Sequence, residues 1–267
     1  MLAFANAKIN LGLQVTEKRS DGYHNLDTVF YPVKINDVIE VNDAAVTSFV
    51  SSGIEIPGDS SDNLCLKAFN LLRKEFDLPP QQIMLLKNIP IGAGLGGGSS
   101  DAATLVKLVN QKFALGLSEL QMEQYVRPLG ADCAFFIGNK PVYAQGKGDE
   151  FTSIDVDLSA YEIVVVNPNI HVSTADAYSG IIPSVPSASV KDLIHLPVEQ
   201  WKATIFNDFE RSVFQKFPRI KELKDTLYDQ GAVFALMSGS GSSVFGIFKN
   251  KVNLQELTND CQLFYNC

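Results

Sequence analysis

The sequence predicts a globular protein of mixed strands and helices arranged in two domains. Three observations predict it. Strand patterns, led by the alternation over residues 7–15, make the first third of the chain β-rich, capped apolar stripes of helical period follow, and the character changes again beyond about Glu150. A chain of 267 residues can bury a substantial core in one large or two moderate domains, and the change near Glu150 favours two. With 46% hydrophobic and 19% charged residues, nothing is biased towards disorder or a fibre.

Residues 7–15 read A-K-I-N-L-G-L-Q-V, with Ile9, Leu11, Leu13 and Val15 alternating against Lys8, Asn10 and Gln14. That is a half-buried strand, and its alternation puts Lys8 and Asn10 on one face, pointing away from the core, where they can share a ligand. Residues 19–25, R-S-D-G-Y-H-N, form a turn. The apolar run 29–33 and residues 35–41 and 46–56 supply further strands. Asp62 and Asn63 cap a helix that stops before Pro79-Pro80, and 83–89 is a strand leading into a glycine-rich loop. Ser99 or Ser100 caps the next helix, with the stripe Ala102, Leu105, Val106, Val109 and Phe113. Ser118 and Gln121 form the capping box of a third, closed by Pro128 and Gly130. Later, 163–166 is a buried strand, 181–189 a Pro/Ser-rich loop, and 214–228 a helix. Residues 232–236 and 244–248 are strands flanking a second Gly/Ser cluster from Ser238. No repeat of fixed period occurs.

A net charge of −8 argues against nucleic-acid and anionic-membrane partners, which are recognised first by a positive field. A phosphate ligand would have to be drawn locally, by backbone N–H groups at a helix start and a few lysines. Cys65, Cys133, Cys261 and Cys267 form no C-x-x-C pair and the three histidines are scattered, so a zinc site is not expected and the thiols read as reduced. No signal-like or membrane-spanning run is present. The first motif begins only a few residues in, so no transit peptide is expected and a bacterial cytoplasm is.

The strongest chemical signal is P-I-G-A-G-L-G-G-G-S-S-D-A-A from Pro90. Its glycines let the backbone approach an anion and turn N–H groups inward, and the following helix offers its positive end. Gly92, Gly94 and Gly97 satisfy G-x-G-x-x-G, but no βαβ unit surrounds them, and the acid expected about twenty residues on is only Glu119 inside a capped helix. A Walker loop fails because Ser99-Ser100-Asp101 stands where G-K-[ST] is required. A kinase loop that dispenses with that lysine remains, beside a tight glycine turn with no ligand.

Three segments together resemble the signatures of the GHMP kinases: A-K-I-N-L from Ala7, P-I-G-A-G-L-G-G-G-S-S from Pro90, and M-S-G-S-G-S-S-V-F-G from Met237. Within that superfamily, K-R-S-D-G-Y-H from Lys18 and L-G-A-D from Leu129 resemble the branch acting on a cytidine diphosphate-linked polyol. The resemblance implies an α+β fold with a ribosomal protein S5 domain 2-like N-terminal ATP-binding domain, 1–153, and a ferredoxin-like C-terminal domain, 154–267, with substrate in the cleft. It implies transfer of phosphate from ATP, with Mg2+, to the 2-hydroxyl of that polyol in the non-mevalonate route to isoprenoid precursors, by a monomer or weak homodimer. Siblings acting on mevalonate, homoserine or a sugar, and a non-catalytic nucleotide-binding regulator, are the alternatives.

By the same resemblance Lys8 and Asp132 match the catalytic pair, Asp132 as base and Lys8 orienting it. Asn10, Tyr23, His24 and Tyr178 fall where the cytidyl substrate is held. Asn63 and Lys87 fall on the adenine side, and Pro90, Ile91, Gly92, Ala93, Gly94, Leu95, Gly96, Gly97, Gly98, Ser99 and Ser100 match the triphosphate loop. Ser100 is the candidate Mg2+ contact, with Asp101 an alternative. Asn6 stands where a proline is common, and Cys133-Ala134 where Val-Pro is frequent. Simpler roles exist for the same residues: Asp132 as a helix N-cap, Lys8 as a solvated strand lysine, Tyr23 and His24 as hairpin residues, Tyr178 as a core ring.

Overall fold

The computed structural model describes every residue of the chain except Thr258. In chain order the elements are β1 (Leu2–Lys18), β2 (His24–Asp43), β3 (Ser48–Gly53), α1 (Leu64–Phe76), β4 (Gln81–Lys87), α2 (Gly97–Lys112), α3 (Glu119–Val126), α4 (Phe135–Gly138), β5 (Val142–Gln145) and β6 (Glu150–Ser153). They continue with β7 (Glu162–Asn167), α5 (Thr174–Tyr178), α6 (Val190–Leu193), α7 (Val198–Thr204), α8 (Phe209–Lys216), α9 (Pro218–Asp229), β8 (Phe234–Met237), β9 (Val244–Phe248) and β10 (Gln262–Phe264).

Local chemistry sets most of these boundaries. Asn63 Oδ1 accepts the Cys65 N–H at 2.9 Å and starts α1, which ends on Asp77 in the left-handed region, just before the two prolines. The capping box of Ser118 and Gln121 opens α3 as expected. Two expectations are corrected. Neither Ser99 nor Ser100 caps α2: the cap is Gly96, at φ +71°, because a glycine there reaches the left-handed backbone without a side-chain penalty. The helix expected over 214–228 is two helices, α8 and α9, divided at Phe217. Pro218 opens α9 there, where its missing N–H costs nothing, but it could not have continued α8.

The chain forms two compact units, neither of them a single stretch, because β1 and β2 each run through both. The first comprises 1–7, 35–91 and 96–140. In it, residues 38–43 of β2 pair antiparallel with β4, and β3 pairs parallel with β4. Helix α1 packs on α2, and α2 also packs on α3 and α4. Ile39, Ile83, Leu85, Phe69, Leu72 and Leu105 are fully or almost fully buried.

The second unit comprises 8–34, 92–95 and 141–267. Residues 28–30 of β2 pair with β5, and β5 pairs with β6. A separate antiparallel sheet has the order β10-β7-β9-β8. Numbered along the segment these are its fourth, first, third and second strands, the order of a ferredoxin-like sheet. Helix α9 packs on β8 and β9, and its stripe of Ile220, Leu223 and Leu227 joins Val164, Val166 and Ala235 in one apolar cluster. Among the described residues no helix is long and apolar enough to cross a membrane.

Phe234 is completely buried and meets the rings of Trp201 and Phe245 edge-on, with centroids at 5.5 and 6.0 Å. Phe234→Ala is expected to lose about 3–5 kcal/mol of stability through lost transfer energy and a residual cavity, measured as a lower urea midpoint.

Candidate active site

The second unit brings parts of all three signature segments together. Gly94 stands so close to the segment after β8 that a Cβ on it would lie 1.9 Å from the Ser238 carbonyl oxygen. No side chain fits there, which is the physical reason for that glycine. The Ser238 hydroxyl donates to the Gly94 carbonyl at 2.9 Å and accepts the Asn10 N–H at 3.2 Å. Ser243 N–H donates to the Ala93 carbonyl at 3.2 Å, and Lys8 N–H to the Leu95 carbonyl at 3.0 Å. Asn167 on β7 steadies the far side, its amide reaching Ser243 Oγ at 3.1 Å.

Lys8 and Asn10 do share a face of β1, with Lys8 Nζ donating to Asn10 Oδ1 at 2.6 Å. They do not project into solvent as the alternation suggested, since they are only 4% and 1% exposed. The Asn10 amide donates to Thr28 Oγ1 at 2.9 Å, and that hydroxyl donates to the Gly12 carbonyl, so Asn10 is held with its oxygen towards the lysine. The Lys8 ammonium also lies 4.7 Å from the centroid of the Phe30 ring.

The turn expected at 19–25 is built by Asp21, whose carboxylate accepts the Tyr23 N–H and pairs with Arg19, and by Gly22 at φ +87°. The turn leaves Tyr23 exposed with the Lys147 ammonium 5.2 Å from its ring, while His24 stacks on Tyr178 at a centroid distance of 4.7 Å. Tyr178 in turn meets Phe209 edge-on at 4.7 Å and packs against the apolar cluster. It is therefore a core-anchored ring whose other face carries His24.

In the first unit, α2 opens at Gly97 with no side-chain cap on Gly96, which leaves its first-turn N–H groups to another acceptor. Ser100 Oγ and Asp101 Oδ1 are buried there without a hydrogen-bond partner. Two orphaned hard oxygens at the end of a phosphate-type loop fit an Mg2+ ion better than a soft metal. Asp132 sits half-buried in the turn 131–134 before α4, two residues ahead of the N-cap Ala134. Its neighbour Cys133 hydrogen-bonds Ser99 on α2, and burial pushes that thiol up to about 11.

Lys87 and Asn63 are both occupied. Asn63 caps α1, and Lys87 Nζ forms buried ion pairs with Asp37 and, at 2.7 Å, with Asp101. Asp37 Oδ1 accepts the N–H groups of Asn88 and Ile89, while a Cβ on Gly97 would lie 2.9 Å from Lys87 Nζ. The trio thus fixes both ends of the glycine-rich loop. Sequence reasoning missed Asp37, one of four acids in β2 and the one that is fully buried. It also missed Asn207, Asp208 and Glu210, whose spacing matches no known motif. His171, with Nδ1 3.4 Å from where a Gly92 Cβ would stand, is a third omission.

The family model for the GHMP kinases N terminal domain matches residues 63–139, and that for the GHMP kinases C terminal matches 190–267. The chain belongs to the GHMP kinases, and its α+β fold is theirs. It is 53% identical over 262 residues to the 4-diphosphocytidyl-2-C-methyl-D-erythritol kinase of Bacteroides fragilis, covering 96% of this chain and 95% of that one. To the enzyme of the same name from Cytophaga hutchinsonii it is 54% identical over 252 residues, 94% of this chain and 93% of that one. A crystal structure of 4-(cytidine 5'-diphospho)-2C-methyl-D-erythritol kinase superposes with a TM-score of 0.81 at 28% identity, covering 99% and 98% of the two chains.

Burial pushes the Asp101 carboxyl up to about 7; the Lys87 ammonium opposes the rise and the second carboxylate, Asp37, adds to it. Unfolded, the group titrates near 3.8, so the folded state holds an extra proton between the two values. Its contribution to stability is complete below the lower value and lost as pH rises through the upper. Asp101→Asn removes this loss: between about pH 5 and about pH 8 its unfolding free energy, measured by urea titration, falls less than the parent's by roughly 1–4 kcal/mol.

Proposed function

We propose that the chain transfers the γ-phosphoryl group of ATP to the 2-hydroxyl of 4-diphosphocytidyl-2-C-methyl-D-erythritol, giving the 2-phosphate and ADP, in the non-mevalonate route to isoprenoid precursors. The observation that carries the substrate is the stacked His24–Tyr178 pair beside the D-G-Y-H turn. A cytosine offers a flat face and a hydrogen-bonding edge, and the His24 imidazole, backed by the core-anchored Tyr178, with the exposed Tyr23 ring next to it in the chain, offers groups to meet them. Mevalonate and homoserine have no base to hold. The names carried by relatives of about half-identical sequence support the same acceptor.

Phosphoryl transfer passes through a loose transition state in which positioning and charge stabilisation do most of the work. In this reading Asp132 accepts the proton of the attacking hydroxyl, and Lys8, held by Asn10, stabilises the charge that develops on the transferring group. Residues 90–100 bind the triphosphate through loop and first-turn N–H groups. Asn10, Tyr23, His24 and Tyr178 hold the cytidyl half. Asn63 and Lys87 lie on the adenine side by chain position. Ser100 and Asp101 supply the oxygens that would hold Mg2+, which neutralises phosphate charge when bound. Residues 1–153 as the ATP-binding part and 154–267 as the second domain belong to the same proposal, as does work as a monomer or weak homodimer in a bacterial cytoplasm.

Incubation with Mg2+-ATP and the cytidyl polyol should release ADP; turnover on mevalonate or homoserine with none on the cytidyl compound overturns the assignment. In that assay Asp132→Asn is expected to lower kcat by roughly a hundredfold or more while ATP binding persists. His24→Ala should raise KM for the cytidyl substrate by about tenfold and leave KM for ATP nearly constant.

A further inference from the structure

The segment from Asn207 to Glu210 holds the loop after β8 from behind, and each of its three polar side chains has a separate anchor. Asn207, 3% exposed, uses both amide hydrogens, donating to the Met237 and Gly239 carbonyls at 2.8 Å each, while its oxygen accepts the Phe209 N–H at 3.0 Å. Its donors are saturated, so the rotamer is fixed. Asp208 Oδ2 accepts the Val15 N–H of β1 at 2.7 Å, and Leu13 N–H donates to the Phe206 carbonyl at 2.9 Å. Glu210 Oε1 accepts the Met237 N–H at 3.0 Å, and its other oxygen pairs with Lys224 at 2.6 Å.

The two carbonyls bound by Asn207 bracket Ser238, the residue whose hydroxyl joins Gly94 to Asn10. Gly239 itself, at φ +54°, packs so that a Cβ would stand 3.2 Å from the Gly94 Cα and 3.4 Å from Asn10 Oδ1. A shift of these carbonyls therefore moves the bracing hydroxyl. We propose that Asn207, with Asp208 and Glu210 behind it, is a positioning residue that sets Ser238 against the glycine-rich loop and so sets nucleotide affinity. The inference rests on the reading of residues 90–100 as the nucleotide-holding loop.

The test is the affinity of the full chain for Mg2+-ADP, measured by calorimetry, which needs no acceptor. Asn207→Leu keeps the volume and removes both donors, leaving two buried carbonyls without them; the dissociation constant should rise by roughly tenfold or more. Ser238→Ala removes the bracing hydroxyl alone. If Asn207 acts through Ser238, the double variant binds ADP little worse than the weaker single variant, a non-additivity that general destabilisation would not produce. Asn207→Ser, a smaller change, carries the cycle if Asn207→Leu does not fold. Folded Asn207 variants with parental ADP affinity, or losses that simply add, overturn the positioning role and leave the kinase reading intact. Failure of the parent to turn over the cytidyl compound, with ADP binding lost in Asn207→Leu, overturns the acceptor and leaves the positioning role standing.

Discussion

The approach of Gly94 to Ser238 is the constraint on which the second unit's candidate chemistry depends. Two backbones meet there at a distance that admits no Cβ, and one hydroxyl bonds to both the glycine segment and β1. The Lys8–Asn10 pair can be rigid because the strand carrying it is tied to that hydroxyl through the Asn10 N–H. Rigidity matters because preorganised groups aimed at developing charge stabilise a transition state without reorganising during the reaction.

The first unit meets a different difficulty, that of burying charge. One lysine serves two carboxylates, all three nearly inaccessible, and the surplus negative charge is what a proton on Asp101 removes. Such a trio is a poor source of stability compared with apolar packing, but it is directional. Asp37 fixes the chain where it leaves β4, Lys87 lies under Gly97, and Asp101 belongs to the second turn of α2. A net-negative protein can in this way hold a loop suited to phosphate while supplying the attraction through N–H groups rather than a positive surface.

What was legible in the sequence was local. The strand at β1, the Ser118–Gln121 box and the turn at Asp21-Gly22 are each written within a few residues, and each formed, although β1 is buried on both faces over residues 7–15 rather than on one. The glycine-rich loop was legible as a loop, but its helix start was not. Serine is a good cap by propensity, whereas Gly96 wins because the chain must enter α2 through left-handed backbone. The partners of the site residues were hidden for another reason. Asp37, Thr28 and Asn207 each bond to a segment distant in sequence, and no local period reports a partner that far along the chain. The burial of Lys8 and Asn10 was hidden likewise, since alternation tells which residues share a face but not what covers it.

The interleaving of the two units has a consequence for biosynthesis. Asn10 is bonded to a serine 228 residues further along, so the strand that carries it leaves the ribosome long before its partner exists. The second unit cannot close until nearly the whole chain has been made, and contacts of such separation fold slowly. Until then Leu13 and Val15 of β1 lack their neighbours in the apolar cluster formed by residues 164–261, and transiently exposed apolar surface of that kind favours aggregation. A chain released early, before Ser238, would lack the residue that joins β1 to the glycine loop however well its first two hundred residues had folded.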